Sequence, residues 1–514
     1  MPGVAALALN VAVPATGRQR ATLPPRLRGT SGAILMIALV NTNRMAPLVA
    51  PIGLDYVAGA ARQAGIATDV LDLGLSGDPA ALLRDYFSSH HPRLVGLTFR
   101  NIDDCFWPSG QSFVPALVET VAALRTLTDA PIVLGGVGFS VVAEQLLKAT
   151  GADFGIRGDG EPAIVALARE LEGRRRLDRV PGLLVFDGAA VRHNPPAWPE
   201  AVSPPTARDA IDNASYFRLG GQGSVETKRG CDRRCLYCAD PLAKGPRVRR
   251  RDPADVADEV EVLLAQGVDV LHLADSEFNV PRQHAIDVCE ELAARGLGQR
   301  VRWYAYLAVT PFDAELAEAM RRAGCAGINF AADSASEAML ATYRQPHRPR
   351  DLDAAVRSCR ACGITVMFDL LLGGPGETRE TLADTIAFMK RIGPDCVGAA
   401  LGVRLCPGTA MIERLAADGT LESGDGLRRR YEGPLDLVQP TFYISPALGE
   451  RPAALVRELI AGDERFFEPA DDPAPGEPGG HNYNDNAPLV QAIAAGARGA
   501  YWAILRQLRR KAKS

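Results

Sequence analysis

Three cysteines fall within eight residues of the stretch Cys231-Asp232-Arg233-Arg234-Cys235-Leu236-Tyr237-Cys238. The spacing C-x3-C-x2-C lets one short loop aim three thiolates at a single point. Such loops hold zinc or an iron–sulfur cluster, and ligand count separates the two. A structural zinc site wants a fourth Cys or His at close, regular spacing, and no second Cys pair or His pair lies nearby. A cluster held by three thiolates instead keeps one iron open for an exogenous ligand. Cys231, Cys235 and Cys238 are therefore the candidate metal ligands and the centre of the chemistry. A second C-x2-C, Cys359-Arg360-Ala361-Cys362, lies on a predicted helix. There, as at the remaining cysteines, free thiols are expected to act as small buried hydrophobes.

The elements that must carry this loop alternate between strand and helix. After the expected strand at Ser224-Val225-Glu226-Thr227, strands are predicted at Val268–Ala274, Val301–Leu307, Gly327–Ala332, Thr365–Leu372 and Asp395–Leu405, with helix-sized segments between. Six strands in this order predict a partial parallel barrel over residues 223–412, whose working residues sit at the C-terminal strand ends. Those ends read Asp275-Ser276-Glu277, Asp333-Ser334, Gly373-Gly374-Pro375-Gly376 and Arg404.

Upstream, residues 31–165 predict a doubly wound α/β unit. Apolar runs at Ile34–Val40, Thr68–Leu73, Leu94–Phe99, Pro131–Leu134 and Ala152–Ile156 alternate with helical spacing. Ligands of such sheets bind beyond the carboxyl ends of the strands. The loops there are Asn41–Pro51 with Asn43 and Arg44, the segment Thr98 to Asp104 with Arg100 and Asn101, Gly135-Gly136-Val137-Gly138, and Gly158-Asp159-Gly160. Glycine in these loops permits close backbone approach. No G-x-G-x-x-G follows the first strand, which argues against a dinucleotide fingerprint.

Taken in order, these motifs resemble the cobalamin-dependent (class B) branch of the radical S-adenosylmethionine (SAM) enzymes over about residues 31–445. The resemblance implies a [4Fe-4S] cluster on Cys231, Cys235 and Cys238 whose open iron meets SAM. It implies that Asp275, Ser276 and Glu277 touch the SAM amino group, and that Asp333 and Ser334 meet its ribose or carboxylate, with Asp333 standing where Glu is usual. Gly373, Gly374 and Gly376 would approach the adenine, Tyr237 would pack on it or shield the cluster, and Arg404 would pair with the SAM carboxylate. Cobalamin would lie on Asn43, Arg44, Thr98, Arg100, Asn101, Gly135, Gly136 and Gly158. The D-x-H-x-x-G loop that supplies cobalt with a lower His in many relatives is replaced by Asn41-Thr42-Asn43-Arg44-Met45, which has no His. Arg100 can lie near that lower face, where a guanidinium offers no lone pair; the alternative is an ion pair with Asp103 or Asp104.

The resemblance implies methyl transfer from SAM by way of methylcobalamin to a carbon of a small molecule or natural-product intermediate. A weaker resemblance points to the tryptophan 2-methyltransferase branch, where the missing lower ligand accompanies a polar transfer. Three alternatives stay open: a related enzyme that rearranges, cyclises or oxidises a ring without methylating it, a methylthiotransferase-like or RNA-acting enzyme, and a non-catalytic sensor. A flavodoxin or ferredoxin is the expected electron donor.

The 514-residue chain, 47% hydrophobic with a formal net charge of −4, is long enough for two or three domains. Its charge gives no reason to expect nucleic acid or an anionic membrane surface as a partner. No run of 18 uncharged apolar residues suggests a membrane span, and the cysteine usage fits a reducing cytoplasm. Residues 1–30 read as a mobile leader and 166–222 as a linker containing a small hairpin around Asp187-Gly188. Residues 413–514 read as a mostly helical cap over the substrate, with a loop at Asp471–Asp485. A composition rich in Ala, Arg and Gly suits a high-GC organism and specialised metabolism, including antibiotic biosynthesis.

Overall fold

The computed structural model describes residues 35–470 and 483–511. The expected leader, most of the expected 471–485 loop and the last residues of the basic C-terminal run lie outside them.

The first sheet is built from β1 (Met36–Asn41), β2 (Ala67–Asp72), β3 (Leu94–Thr98), β4 (Ile132–Gly135) and β5 (Phe154–Ile156), in the order β2-β1-β3-β4-β5 and all parallel. Their runs are apolar on both faces because both faces are covered. Ile37, Leu39 and Val133 meet Leu54, Ala58 and Leu167 of the helices Ile52–Gln63 and Gly160–Glu172. Val95, Leu97 and Leu134 meet Leu83, Leu117 and Leu146 on the opposite side. The hairpin β6 (Leu183–Asp187) and β7 (Ala190–His193), expected in the linker, is the antiparallel edge of this same sheet. The sheet reverses direction of growth between β1 and β3, so its ligand crevice opens at Asn41 and Thr98.

The second sheet follows the helix Asn213–Gly220. It contains β8 (Gly223–Val225), then, after the antiparallel ribbon β9 (Lys228–Arg229) and β10 (Arg249–Arg250), the strands β11 (Val270–Leu273), β12 (Arg302–Ala308), β13 (Cys325–Asp333), β14 (Thr365–Leu372) and β15 (Cys396–Leu401). These six parallel strands stand side by side in chain order, as a partial barrel requires. A small sheet of β16 (Val403–Arg404), β17 (Leu427–Arg429) and β18 (Thr441–Tyr443) follows, and β19 (Phe466–Phe467) adds a seventh parallel strand beside β15. Alternate residues such as Leu271, Leu307, Phe330, Phe368 and Val397 pack outward against the helices. The intervening residues face the lumen.

Two helical expectations differ from the structure. The expected helix 489–508 is two helices, Ala487–Ala494 and Tyr501–Lys511, separated where Gly496 and Gly499 take positive φ. The expected helix 455–466 stops at Ile460, where Ala461 turns left-handed, and the chain then enters β19.

The two domains are joined by buried charge. Arg208, with a fully buried side chain, donates to Asp55 of the first domain (2.7 Å) and Glu259 of the second (2.5 Å). Arg251 and the hydroxyl of Tyr56 also engage Glu259. Arg249 pairs with Asp159, and Arg229 with Glu161 and Glu226. Among the described residues no helix is long and apolar enough to cross a membrane.

Candidate functional site

The cysteine loop leaves β9 through Gly230, whose φ of +89° and lack of a side chain let it pass against the carbonyl of Arg247. The Cys231 amide donates to Gly245, and that of Cys238 to Cys235. Burial raises all three thiol pKa values, that of Cys235 to about 12. The thiols and the carboxyls of Glu277, Asp333 and Asp240 add to the rise. One buried and two half-buried thiols that resist ionisation beside several carboxyls form a site short of positive charge. A metal cluster supplies that charge and deprotonates the thiols as it binds, so the residues fit the cluster. Gln345, which the sequence reading did not single out, donates to Cys235 Sγ (3.4 Å) and to Asp333 (2.5 Å). Among the described residues no three His, Cys, Asp or Glu side chains are drawn tightly enough for a single ion.

The acidic loop expected at the SAM amino group divides into three fates. Asp275 is buried and accepts from Lys228 Nζ (2.7 Å), Thr227 Oγ1 and two backbone amides. Against the cost of burial, these partners hold its carboxyl below the usual range. It anchors the start of the cysteine loop. Ser276 donates to Asp240 (2.5 Å). Of the three, Glu277 remains open: its Oε2 is buried without a partner among the described residues, and burial lifts its pKa to about 8.

Asp333 takes a left-handed φ of 56° at the end of β13. Burial raises its pKa to about 6, and Tyr237 and Gln345 donate to it. Tyr237 thus turns its hydroxyl to Asp333 and sets its ring against Tyr343 at 5.8 Å. Ser334 is fully buried and bonded to Thr385 Oγ1 (2.8 Å), which turns it away from any ligand. A side chain at Gly374 would strike Tyr343, and one at Gly373 would press on Ile444, whereas Gly376 faces open space. Only the last of the three leaves backbone open to a ligand. Glu377 accepts from the Gly373 amide and fixes the loop.

Arg404, expected at the SAM carboxylate, is buried in the domain seam instead. It donates to Asp103 from two nitrogens (2.7 and 2.8 Å) and to the carbonyls of Leu405 and Leu437. Asp103 is thereby spent, and Asp104 accepts from the amides of Phe106 and Gln111. Arg100 consequently has no carboxylate in ion-pairing range among the described residues.

A cavity of about 370 Å³ opens at the carboxyl edge of the first sheet. Asn43, Thr98, Arg100, Asn101, Gly135, Gly136 and Gly158 line it, as expected of a cobalamin-facing set, and its far wall is Glu226, Arg229, Lys244 and Ala274 of the barrel domain. Leu39, Val133 and Ile164 make its deep end apolar, as a flat macrocycle and its nucleotide tail require. The cavity fits cobalamin in composition and in its position between the sheet and the cluster loop. Arg44 lies instead on an adjoining cavity of about 280 Å³ that shares Asn43, Arg100 and Asn101. The glycines do separate jobs. A side chain at Gly136 would strike the Phe99 backbone and one at Gly158 the ring of Trp198, so both serve packing, whereas Gly135 is open to the cavity. Arg100 enters the cavity, and burial lowers its pKa against the effect of Tyr501 and Tyr306.

The barrel lumen holds further polar residues that the sequence reading passed over as strand: His272, Tyr306, Asn329 and Asp369. Each interrupts an otherwise apolar run at an inward position, a signal that strand alternation makes readable.

Fold and site together define a cobalamin-dependent radical SAM enzyme. Residues 39–168 match the B12 binding domain and residues 225–389 the radical SAM superfamily. The tryptophan 2-C-methyltransferase of Streptomyces laurentii is 30% identical over 91% of this chain and 95% of its own length. The structure of the radical SAM methyltransferase TsrM from Kitasatospora setae, with tryptophan substrate and aza-SAM bound, superposes with a TM-score of 0.85. It is 31% identical and covers 93% of this chain and 99% of that one. The cobalamin-dependent radical enzyme OxsB shares the fold at a TM-score of 0.65 and 16% identity, covering 80% of this chain and 64% of that one. The chain belongs to the cobalamin-dependent radical SAM C-methyltransferases, which use a [4Fe-4S] cluster, SAM and cobalamin on a small-molecule substrate. Methyl transfer, and not the methyl-free ring chemistry kept open above, is its reaction.

Proposed function

We propose that this enzyme methylates tryptophan, or a close indole relative, at C2. The observation that carries the reading is likeness along nearly the whole chain to a tryptophan 2-C-methyltransferase and to a structure with tryptophan bound. Held between the first-sheet loops and the barrel domain, cobalamin would supply a methyl carrier between SAM and the acceptor carbon.

The chain's own residues orient the partners and exclude water. Cys231, Cys235 and Cys238 would hold the cluster. Glu277 and Asp333 offer SAM two carboxyls that lack strong cationic partners, and a sulfonium amino acid brings the positive charge they need. Gly376 leaves room for its adenine. Asn43, Thr98, Asn101 and Gly135, which line the cavity, would hold cobalamin. Arg100 would offer it a cation and no lone pair, and the first-strand loop has no His. Both features favour polar transfer over a radical route, because a poorly ligated metal gives up a methyl cation more readily. A small iron–sulfur or flavin protein such as ferredoxin or flavodoxin would deliver electrons, and the ten free cysteines suit a reducing cytoplasm.

The test is anaerobic reconstitution with iron, sulfide and hydroxocobalamin, then deuteromethyl-SAM, reductant and L-tryptophan. The expected products are labelled 2-methyltryptophan and S-adenosylhomocysteine, with no stoichiometric 5′-deoxyadenosine. Unlabelled tryptophan beside labelled cobalamin would refute the acceptor; 5′-deoxyadenosine in step with product would refute the polar route.

A further inference from the structure

The lumen of the barrel is layered by strand alternation. Its lowest layer is apolar: Val270, Tyr304, Met367 and Cys396 meet Ala500, Trp502 and Ala503 of the C-terminal segment, with Trp502 edge-on to Tyr304. Two residues further along each strand stand His272, Tyr306, Asn329, Asp369 and Gly398. Beyond these the inward positions of β12, β13 and β15 carry Ala308, Ala331 and Ala400, and small residues leave space. Tyr306 is 40% exposed although it sits in a central strand, because it faces that space.

The polar layer is short of hydrogen-bond donors. Asn329 Nδ2 donates to Asp369 Oδ2 (2.7 Å), while the buried Asn329 Oδ1 has no partner among the described residues. Among the described residues Asp369 receives no ion pair, and burial lifts its pKa to about 6 despite Asn329. Gly398 is the residue that leaves room for its carboxylate, since a side chain there would overlap Asp369 Oδ1. The other titratable groups around the layer are His272, Tyr306, Tyr483, Tyr501, Arg100 and Asp333, itself a carboxyl. His272 is held neutral by burial at about 4, and burial pushes the phenols of Tyr483 and Tyr501 up. None of these supplies the donor that Asp369 lacks.

We propose that Asp369, positioned by Asn329, receives the protonated amino group of the methyl acceptor above the floor of the barrel lumen. An ammonium has three donors, and the layer offers acceptors at Asp369, Asn329 and Tyr306. The amino acid head would then lie deep in the lumen and the ring would rise towards the interdomain cavity. This assignment rests on the reading of the acceptor as an aromatic amino acid.

The experiment measures equilibrium binding of L-tryptophan and of indole-3-propionate, which lacks the amino group, to reconstituted holoenzyme. Wild type, Asp369→Asn, Asp369→Glu and Asn329→Ala are compared, with iron and cobalamin content as the check on folding. Wild type is expected to prefer tryptophan by about 100-fold, because a buried charge left unpaired penalises the wrong ligand heavily. Asp369→Asn should erase the preference, Asp369→Glu should restore part of it, and Asn329→Ala should reduce it to an intermediate ratio. If wild type prefers tryptophan and Asp369→Asn keeps that preference, the assignment of Asp369 falls while the tryptophan reading stands. If wild type binds the two compounds equally, the assignment falls as well. If wild type binds neither, both fall.

Discussion

The domain seam and the ligand-facing side of the barrel use the same residue types to opposite ends. In the seam four carboxylates each have a guanidinium: Asp55 and Glu259 share Arg208, Arg251 also serves Glu259, Asp159 has Arg249, and Asp103 has Arg404. On the ligand-facing side Glu277, Asp333 and Asp369 are enclosed with neutral donors or none, and burial lifts their pKa values to about 8, 6 and 6. A buried charge with its partner in place holds the protein together, and a buried carboxyl without one waits for something to bind. Asp275 and Glu277, two residues apart, fall on opposite sides of that line.

The largest effect should come from removing the groups that await the most charge. Cys231→Ala, Cys235→Ala or Cys238→Ala should each abolish methyl transfer and cluster absorbance while leaving cobalamin binding in place, read by iron content and visible spectra. If any of the three retained full iron, the site would not be the one described. Next is Glu259→Gln, which leaves Arg208 and Arg251 short of charge in the seam. It should cost about 3–5 kcal/mol, seen as a lower unfolding midpoint in denaturant, with little change in tryptophan affinity among molecules still folded.

Asp369→Asn should do the reverse and stabilise the cofactor-free protein. The folded carboxyl titrates near 6 and the unfolded one near 3.9. As pH rises through that window the unfolded chain releases its proton first, so the folded state loses stability, by about 2–3 kcal/mol at most above pH 6. The variant lacks this loss, and its stability from pH 4 to 7 should be flatter in chemical denaturation. Smallest of all, Arg282→Ala removes an exposed fork to Asp313 and Glu315 and should change stability by less than about 1 kcal/mol. A larger loss would show that pairing matters independently of burial.

Much of this division was legible in the sequence, and some was not. The parallel strands of the first sheet and the six chain-ordered strands of the barrel could be placed because mostly apolar runs alternating with helix-sized gaps admit few alternatives, whereas β19, two residues long, lay inside an expected helix. The cysteine loop was legible because its spacing is local. Arg404 was misplaced because its partner, Asp103, lies 301 residues away, and position at a strand end does not say which way a long side chain turns. Gln345 was passed over since nothing local distinguishes it from a solvated glutamine; only the fold brings it to Cys235 and Asp333. For the glycines a second demand was hidden: Gly136, Gly158 and Gly374 also have to be small because Phe99, Trp198 and Tyr343 occupy the space, and a sequence does not show which neighbour makes the demand. His272, Asn329 and Asp369 were missed although alternation placed them inward.

Trp502 gives the lumen a stopper that is not part of the barrel wall. It comes from a helix outside the strand–helix repeat, packed beneath Tyr304 and close to Gly327. The depth of the cup is therefore adjustable separately from the cofactor machinery at its rim. Trimming this one indole would lengthen the chamber downward, admitting acceptors with bulkier heads, while the cysteine loop and the first-domain crevice stay as they are.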